Sequence, residues 1–207
     1  MDSKELTRKK ILKTATQIFA RHGYEGARMD QIAKAADVNK ATIYYNIGNK
    51  KALYEQVLVS ETIKPVVQNA LKELSSLETP EKKLEVYIAT ISTFFLENPH
   101  LPKITMREQI SGGKNLPESF LLNISQMLNT LETILKEGEK TKVFEKVDTM
   151  TIHFMILASL MFFINTAPIR SKDNNLPEKF SSVDEKAYVT LTGNITRYIL
   201  KAVRRGE

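Results

Sequence analysis

The chain has 207 residues, of which 42% are hydrophobic, and it carries a net charge of +6 and no cysteine. This composition is typical of a globular protein and excludes a disordered chain, a disulfide framework and a cysteine nucleophile. The charged N-terminus, MDSKELTRKK, predicts no signal peptide. The longest apolar run, residues 154–164, would span about 16 Å as a helix, about half of a bilayer core. We therefore expect a cytoplasmic protein without a membrane span.

The positive charge is concentrated in the first quarter of the chain. Residues 1–51 contain 11 Lys/Arg and 5 Asp/Glu, a net charge of +6, whereas residues 52–207 contain 19 of each. A solvated basic surface would explain a diffuse imbalance of this size. An excess confined to one short segment indicates an electrostatic footprint for a polyanion.

Three short helices are predicted within the first 50 residues. The first is expected from Ser3 to His22, where apolar residues recur on one face and Gly23 would adopt a left-handed conformation, with Tyr24 packing back. A second helix is expected over residues 29–36. The apolar residues that would form their common core are Ile11, Ala15, Ile18, Phe19, Met29, Ile32, Ala33 and Ala36.

The stretch NKATIYYNIGNK, residues 39–50, predicts the third helix and the start of a fourth. Residues 37–39 form a tight turn, Asn39 is the expected N-cap, and Gly48 ends the helix before Asn49 caps the next one. Ile43 and Ile47 supply its apolar face, which is very little to bury. Two helices joined by a three-residue turn indicate a helix-turn-helix whose second member is a recognition helix.

The remaining chain predicts longer helices and neither strands nor internal repeats, so the fold class is all-α. A fourth helix would run to about Leu77 with a kink near Pro65, and Thr79–Glu81, Pro117 and Asp148 would start later helices. The expected breaks and loops are residues 98–99, 111–115 and 172–177, and the last helix is expected over residues 183–205. Residues expected to face the core are Leu84, Ile88, Ile91, Phe95, Leu121, Ile124, Leu128, Leu131, Leu135, Leu191, Ile195, Ile199 and Ala202.

Cations stand at three successive predicted helix starts. Arg28 precedes the second helix, Lys40 begins the third, and Lys50 and Lys51 begin the fourth. A helix N-terminus carries a partial positive charge, so each cation there costs a few tenths of a kcal/mol, roughly, unless an anion binds. A phosphate would reverse the sign of the effect, and Tyr44, Tyr45 and Asn46 add polar groups that bond phosphate oxygens. The sequence therefore predicts binding to duplex DNA.

The segment MDQIAKAADVNKATIYYNIGNK, residues 29–50, preceded by FARHGY at residues 19–24, resembles the TetR family of bacterial transcriptional regulators. The resemblance implies an N-terminal three-helix DNA-binding domain, residues 1–50, and a larger helical effector-binding and dimerisation domain, residues 51–207. It departs from the family pattern at Arg28, where a Ser or Thr cap is usual. It also departs at Asp37 in place of the turn glycine, and at Ile47 and Gly48.

Carried over by position, the resemblance implies the residues that would contact DNA. Tyr44, Tyr45, Asn46 and Lys50 would contact phosphates, and Lys40, Ala41 and Thr42 would approach base edges. The complete set of expected DNA-binding residues is Arg28, Met29, Asn39, Lys40, Ala41, Thr42, Tyr44, Tyr45, Asn46 and Lys50.

The resemblance also implies a small-molecule pocket in the larger domain. Its candidate lining is rich in aromatic residues and methionine and includes a few polar groups. The candidates are Tyr87, Phe94, Phe95, Met106, Arg107, Phe120, Met127, His153 and Phe154. Further candidates are the apolar residues Met155 and Phe162 and the polar residue Asn165. Ordinary core packing is the alternative for each of these, and a surface ion pair is the alternative for Arg107 and Glu108. His100, His153 and Glu108 lack the spacing of metal ligands, so we expect no metal.

The implied function is a ligand-responsive repressor that binds a palindromic operator as a homodimer and is released by a small effector, expected to be hydrophobic. The homodimer would form through the last two long helices, about residues 149–168 and 183–205. The alternative is a helical protein whose basic N-terminal region binds a partner or an anionic surface without operator specificity. Neither a nucleophile–base pair nor a phosphate-cradling glycine loop is present in the sequence, so we expect no enzyme and no cofactor.

Overall fold

The structure is a computed structural model that describes residues 3–63, 73–74, 76–172 and 184–206. Within these ranges the fold is all-α, as predicted, and the only extended pairing among them is one bridge between Phe144 and Arg204. The α-helices are α1 (Ser3–Gly26), α2 (Met29–Ala35), α3 (Lys40–Asn46), α4 (Lys50–Glu55), α5 (Pro80–Glu97), α6 (Leu101–Ile110), α7 (Glu118–Lys140), α8 (Thr149–Arg170) and α9 (Glu185–Val203).

The chain divides into two compact units. The N-terminal unit comprises Met1–Pro65 and His100–Asn123, and the C-terminal unit comprises Val66–Pro99 and Ile124–Glu207. The short helix α6 therefore belongs structurally with the helix-turn-helix, although Leu101 at its start lies 55 residues beyond Asn46 at the end of α3. These units differ from the segments 1–50 and 51–207 that the sequence suggested, because α6 packs against α1.

The core of the N-terminal unit forms around α1, which packs against α2, α3, α4 and α6. Ile11, Ala15 and Phe19 are fully buried, as the apolar stripe predicted. Gly23 has φ 72° and ψ 178°, a region open essentially to glycine alone, and it puts a kink into α1 that lets the helix continue to Gly26. The Tyr24 ring stacks on Phe19 and meets the Tyr54 ring edge-on, which confirms the expected packing of Tyr24.

The fourth helix differs from its prediction. Instead of one α-helix continuing to Leu77, α4 ends at Glu55 and the backbone continues as a π-helix over Gln56–Ile63. A π-helix closes i→i+5 hydrogen bonds and needs tertiary packing to persist. Val57 and Leu58, at 1% and 0% exposed, supply that packing. The kink predicted at Pro65 lies outside the described residues.

The C-terminal unit contains α5, α8 and α9, which pack against one another. Tyr188 on α9 donates from its hydroxyl to the carbonyl of Ser92 on α5, and the Ser92 and Thr192 hydroxyls bond at 2.6 Å. The Lys83 ammonium bonds both carboxylate oxygens of Glu137 at 2.7 Å, which links α5 to α7. Leu84, Ile88, Ile91 and Phe95 are buried as predicted.

Two predicted core positions are wrong. Leu121 on α7 is 52% exposed, and the neighbouring Phe120 is buried in its place. Ala202 on α9 is exposed, whereas Val203 is fully buried. Leu131 and Leu135 on α7 and Ile195 and Ile199 on α9 are buried as predicted, so the misses are local, and in both cases the adjacent residue with the larger side chain occupies the core. Burying it removes more apolar surface from water.

Helix α8 is longer than the apolar run within it. It has 22 residues, so by length and composition alone it could cross a membrane, as the core helix of a soluble protein also could. Asp148 caps it by accepting from the Thr151 amide at 2.7 Å, as predicted, and the hydroxyl and amide of Thr151 lower the pKa of this carboxyl. The face that packs in the unit consists of Ile152, His153, Ile156, Leu160 and Met161.

The opposite face of α8 is apolar and exposed in the single chain. Its large exposed apolar side chains are Met150, Phe154, Met155, Phe162 and Ile169. The prediction that this helix is apolar nearly all round is thus confirmed. One apolar face is buried within the unit, and the other is exposed to solvent in the single chain. The loop predicted over 172–177 is described only at Lys172, and residue 183, the expected start of the last helix, lies outside the described ranges.

Candidate nucleic-acid interface

Helix α3 is short and is capped at its start as predicted. The Asn39 side chain accepts from the Thr42 amide at 2.7 Å and from the Thr42 hydroxyl at 2.8 Å. Asp37 in the turn has φ 51°, the left-handed conformation that aspartate tolerates. Ile43 is fully buried and anchors α3 against the core of the unit.

The two tyrosines of α3 lie outside the core. Tyr44 is 49% exposed and Tyr45 is 79% exposed, although large aromatic side chains are normally buried. Ala41 is exposed and Thr42 is half-buried on the same short helix. This helix therefore presents most of its surface to the exterior, where hydroxyl groups are free to bond phosphate oxygens.

Lys40 at the start of α3 is paired with Asp30 on α2. Its ammonium lies 3.0 Å and 3.2 Å from the two carboxylate oxygens, and both side chains are well exposed. The hydrogen bond and the charge of Asp30 raise the pKa of Lys40 above its usual value. The cation is thus held between the starts of α2 and α3.

Lys50 at the start of α4 is directed back toward the end of α1. Its ammonium donates to the Glu25 carbonyl at 3.4 Å and lies 4.5 Å from the centre of the Tyr24 ring. Asn49 caps α4 by accepting from the Ala52 amide at 3.0 Å, as predicted. Lys51 is exposed, so of the two lysines it is the one more open to an external phosphate.

Arg28 and Met29 lie at the start of α2 but differ in what they present. Arg28 is exposed, and its side chain forms no cap, which agrees with the loss of the usual Ser or Thr. The Met29 side chain is only 7% exposed, so a contact of Met29 with DNA would have to use its backbone. Its apolar chain belongs to the core, and only its backbone remains at the helix start.

Asn46 is partly committed within α3, because its side-chain amide donates to the Thr42 carbonyl at 2.7 Å. The oxygen of the same side chain is an acceptor, whereas phosphate contacts need donors. Of the ten predicted DNA-binding residues, Arg28, Ala41, Tyr44 and Tyr45 are exposed, and their side chains form no hydrogen bond or ion pair with other described residues.

Sequence reasoning missed two residues around this surface. One is Lys4 near the start of α1, whose ammonium lies 5.1 Å from the centre of the Tyr45 ring. The other is Asp30, which forms the ion pair with Lys40. The Asp30–Lys40 contact joins residues on two different helices, so helical spacing alone gave no sign of it. The Lys4 contact spans 41 residues of sequence, and only the net positive charge of the segment pointed to it.

The predicted effector residues are distributed over both units. Tyr87, Phe94, Phe95, Met127, His153 and Phe154 belong to the C-terminal unit, and Met106, Arg107 and Phe120 belong to the N-terminal unit. Tyr87 is 3% exposed, burial raises its pKa, and its hydroxyl donates to the Met127 carbonyl at 3.3 Å. Phe154, a candidate for the pocket lining, is 59% exposed on the outer face of α8 and does not belong to the core of the unit.

Arg107 and Glu108 do not pair with each other. Arg107 donates to the carbonyls of Ala20 and Arg21 at 3.2 Å and 3.0 Å, where its cation satisfies the last carbonyls before the kink in α1. Glu108 is 3% exposed and accepts from the Tyr54 hydroxyl at 2.9 Å. The surface ion-pair interpretation is therefore wrong, and Arg107 has a structural role in the N-terminal unit.

His153 is the polar group that stands out in the C-terminal unit. It is 4% exposed on α8, and burial lowers the pKa of its imidazole. Its Nδ1 atom has no hydrogen-bond partner within the described parts of the chain. Over the same residues, no three His, Cys, Asp or Glu side chains lie close enough together to hold a metal ion.

Three surface cavities of about 700, 670 and 690 Å³ are lined by described residues. None of these three includes a predicted effector residue. The second lies in the N-terminal unit, between Lys51 and Glu55 on one side and Lys114, Asn115 and Ser119 on the other.

Comparison with known proteins gives matches along most of the chain. Residues 11–57 match the family described as "Bacterial regulatory proteins, tetR family", and residues 80–172 match "Tetracyclin repressor-like, C-terminal domain". The HTH-type transcriptional repressor NicS of Pseudomonas putida is 29% identical over 163 residues, covering 77% of this chain and 76% of that protein. The regulator IcaR of Staphylococcus aureus, which acts negatively on the biofilm operon icaADBC, is 27% identical, with 85% and 88% covered.

Solved structures show the same fold. HlyIIR, a hemolysin II transcriptional regulator, superposes with a TM-score of 0.71 at 25% identity and covers 99% of this chain and 100% of its own. FadR of Bacillus subtilis in complex with stearoyl-CoA superposes with a TM-score of 0.70 at 19% identity, covering 95% and 99%. At that identity the likeness to FadR concerns the fold alone.

Proposed function

Because this chain belongs to the tetR family of bacterial regulatory proteins, we propose that it represses transcription in the cytoplasm by binding a palindromic operator as a homodimer. A small effector then releases it. The observation that carries the DNA-binding part is α3 itself, a short helix with an asparagine cap, one buried isoleucine, two exposed tyrosines and a positioned lysine. A helix that buries so little has its functional surface outside the protein.

The proposed DNA contacts are of two kinds, phosphate contacts that position the protein and base contacts that recognise the sequence. Tyr44 and Tyr45, with the exposed cations Arg28 and Lys51, would bond phosphates and fix the register of α3 on the duplex. Lys40, Ala41 and Thr42 at the start of α3 would approach base edges in the major groove. In a homodimer two such helices would enter successive major grooves, roughly 34 Å apart, on a symmetric site.

The homodimer is supported by the outer face of α8. Phe154, Phe162 and Ile169 are 59%, 66% and 70% exposed, and a contiguous apolar patch of this kind on a helix marks an interface. Val189 and Tyr198 on α9 add exposed apolar surface at 58% each. The last two long helices are therefore the proposed dimer contact.

Effector binding is proposed in the C-terminal unit around His153. A neutral imidazole, buried and with Nδ1 unpartnered among the described residues, is ready to bond a polar group of an otherwise apolar ligand. Tyr87, Phe94 and Phe95 lie on α5, which packs against the helix of His153, and they supply apolar surroundings.

The experiment that tests operator binding is fluorescence anisotropy over a salt series, with the upstream DNA of the gene and a scrambled duplex as probes. Tighter binding to the upstream DNA, with two subunits per site, would support the proposal. The variants are Lys40→Ala and Tyr44→Phe, and Lys136→Ala is the matched control, since Lys136 also belongs to an exposed ion pair but lies on α7. The alternative, a basic surface without operator specificity, predicts that both duplexes bind equally and that binding weakens steeply with salt. It also predicts that the Lys40 variant and the Lys136 control lose the same amount of affinity.

A further inference from the structure

The first of the three cavities lies between α5 and α9 of the C-terminal unit, and we call it the α5–α9 groove. Its volume is about 700 Å³, which is within the range of about 300–1,000 Å³ typical of ligand sites. Ala89, Gly193 and Leu200 form an apolar floor, and Arg197, Lys201 and Arg204 stand around it with Glu85. Its lining includes none of the predicted effector or DNA-binding residues.

Gly193 is the feature that packing does not explain. It occupies the interior of α9, where glycine costs about 1 kcal/mol relative to alanine. A tight helix contact would justify this cost, but within the single chain a Cβ atom at Gly193 would meet nothing within 4 Å. The glycine therefore leaves the helix backbone open to the groove, as it would for a ligand that approaches closely.

The charges around the floor are mostly positive. Glu85 is neutralised by Lys82 at 2.7 Å, and Arg197 is occupied by the Asn194 side chain and the Tyr198 hydroxyl. Lys201 and Arg204 are exposed and form no ion pair within the part of the chain that the structure describes. Cations near a helix C-terminus are also favoured by the helix dipole, so their charge alone assigns no ligand. Beside an open apolar floor, they complement an anion.

The backbone at Arg204 is held in place. The Glu145 amide donates to the Val203 carbonyl at 2.8 Å, and the Arg205 amide donates to the Val143 carbonyl at 3.1 Å. Arg204 thus extends from a fixed point at the end of the groove, which is what a bidentate contact from guanidinium to carboxylate requires.

We propose that the α5–α9 groove binds an amphipathic carboxylate, with its apolar body over Gly193 and Leu200 and its carboxylate at Arg204 and Lys201. The proposal is independent of operator binding, and its test contains no DNA. A carboxylate of this kind would bury apolar surface on the floor while its charge stays at the exposed end of the groove.

The test compares decanoate with its neutral analogue decanamide by isothermal titration calorimetry on the full chain, below the micellar concentration. Decanoate is expected to bind more tightly than decanamide. Gly193→Leu fills the floor and is expected to lower decanoate affinity by about tenfold or more. Lys201→Gln combined with Arg204→Gln should reduce the affinity for decanoate to that for decanamide. Lys186→Gln, an exposed lysine on α9 outside the groove, is the matched control and should change nothing.

Thermal unfolding and sedimentation of the Gly193→Leu variant complete the experiment. The variant is expected to unfold at or above the temperature of the parent protein, because it removes a helix-interior glycine. Equal affinities for decanoate and decanamide, or unchanged decanoate binding by Gly193→Leu, would overturn the proposal. A change of oligomeric state in Gly193→Leu would overturn it too, since a second copy would then be the occupant of the groove.

Discussion

The Tyr54 hydroxyl donates a hydrogen bond of 2.9 Å to Oε1 of Glu108, and both side chains are buried in the N-terminal unit. Burial first, and then the bond to this carboxylate, raise the pKa of the Tyr54 phenol. Asn115 completes the site, because its backbone amide donates to Oε2 of Glu108 at 3.2 Å. One carboxylate thereby joins α4, α6 and the loop that precedes α7.

Replacing Glu108 by leucine should destabilise the N-terminal unit. The change leaves the buried Tyr54 hydroxyl and the partly buried Asn115 amide without their acceptor, a cost of about 2–4 kcal/mol in the free energy of unfolding. Denaturant unfolding of Glu108→Leu, Tyr54→Phe and the double variant measures it. We expect the double variant to be less destabilised than the sum of the two single variants; strict additivity would show that the hydrogen bond contributes nothing.

Removing Asp30 should strengthen DNA binding. Asp30 neutralises Lys40 in the free protein and would repel a phosphate, so Asp30→Ala releases the cation for the duplex. We expect a gain of about two- to fivefold in affinity at low salt, because an exposed ion pair is weak. Anisotropy with the upstream duplex measures the gain, and Glu132→Ala, which frees Lys136 on α7, is the control. An equal gain in both variants would mean that only the net charge matters.

Stability should fall as the pH drops below neutrality, and His153 should contribute to the loss. Burial lowers the pKa of this imidazole in the folded protein, so between the folded value and the unfolded value of about 6.5 the unfolded chain binds more protons. The contribution of His153 is therefore complete above about pH 6.5 and is lost as the pH falls through that window.

Thermal unfolding from pH 8 to pH 5 checks the histidine prediction. His153→Gln should flatten the dependence of the unfolding free energy on pH. Burial and the nearby cations Lys103 and Arg21 also lower the pKa of His100, so part of the slope should remain. The His100→Gln variant isolates that part, and an unchanged slope in His153→Gln would contradict the buried neutral imidazole.

Gly138→Ala should be strongly destabilising, although alanine is the better helix former. A Cβ at Gly138 would overlap the ring of Phe144, which is 2% exposed and packs directly on this point of α7. The Gly138 carbonyl also accepts from the amides of Val143 and Phe144, so the chain cannot move away easily. We expect a loss of about 1–3 kcal/mol. Gly193→Ala is the control and should gain up to about 1 kcal/mol, since nothing lies near its Cβ.

The local parts of the fold could be read from the sequence. Asn39, Asn49, Thr79 and Asp148 each cap the helix that the sequence assigned to them, because a cap joins residues only three positions apart. The left-handed glycine at position 23 was also predictable, since few other residues adopt a positive φ.

Contacts between distant residues could not be read in the same way. Glu108 and Arg107 are adjacent in sequence, and their partners, Tyr54 and the end of α1, lie 54 and more than 80 residues away. The charge pattern indicated a surface pair, whereas one side chain became a buried acceptor and the other a helix cap. Lys50 and Met29 show the same limit at the proposed DNA-binding surface. Family position places them near DNA, but their neighbours in three dimensions decide what their side chains can reach.

The short length of α3 has a consequence for the thermodynamics of operator recognition. Isolated helices below about 12–15 residues are marginal in water, and α3 has seven residues. The Asn39 cap and the buried Ile43 nevertheless hold it in shape before any DNA is present. Binding of α3 to the operator therefore involves no coupled folding. The conformational entropy that a disordered DNA-binding segment would lose on binding is lost here when the protein folds. The heat-capacity change of association should accordingly match the contact surface alone, and the association kinetics should lack a slow, concentration-independent phase.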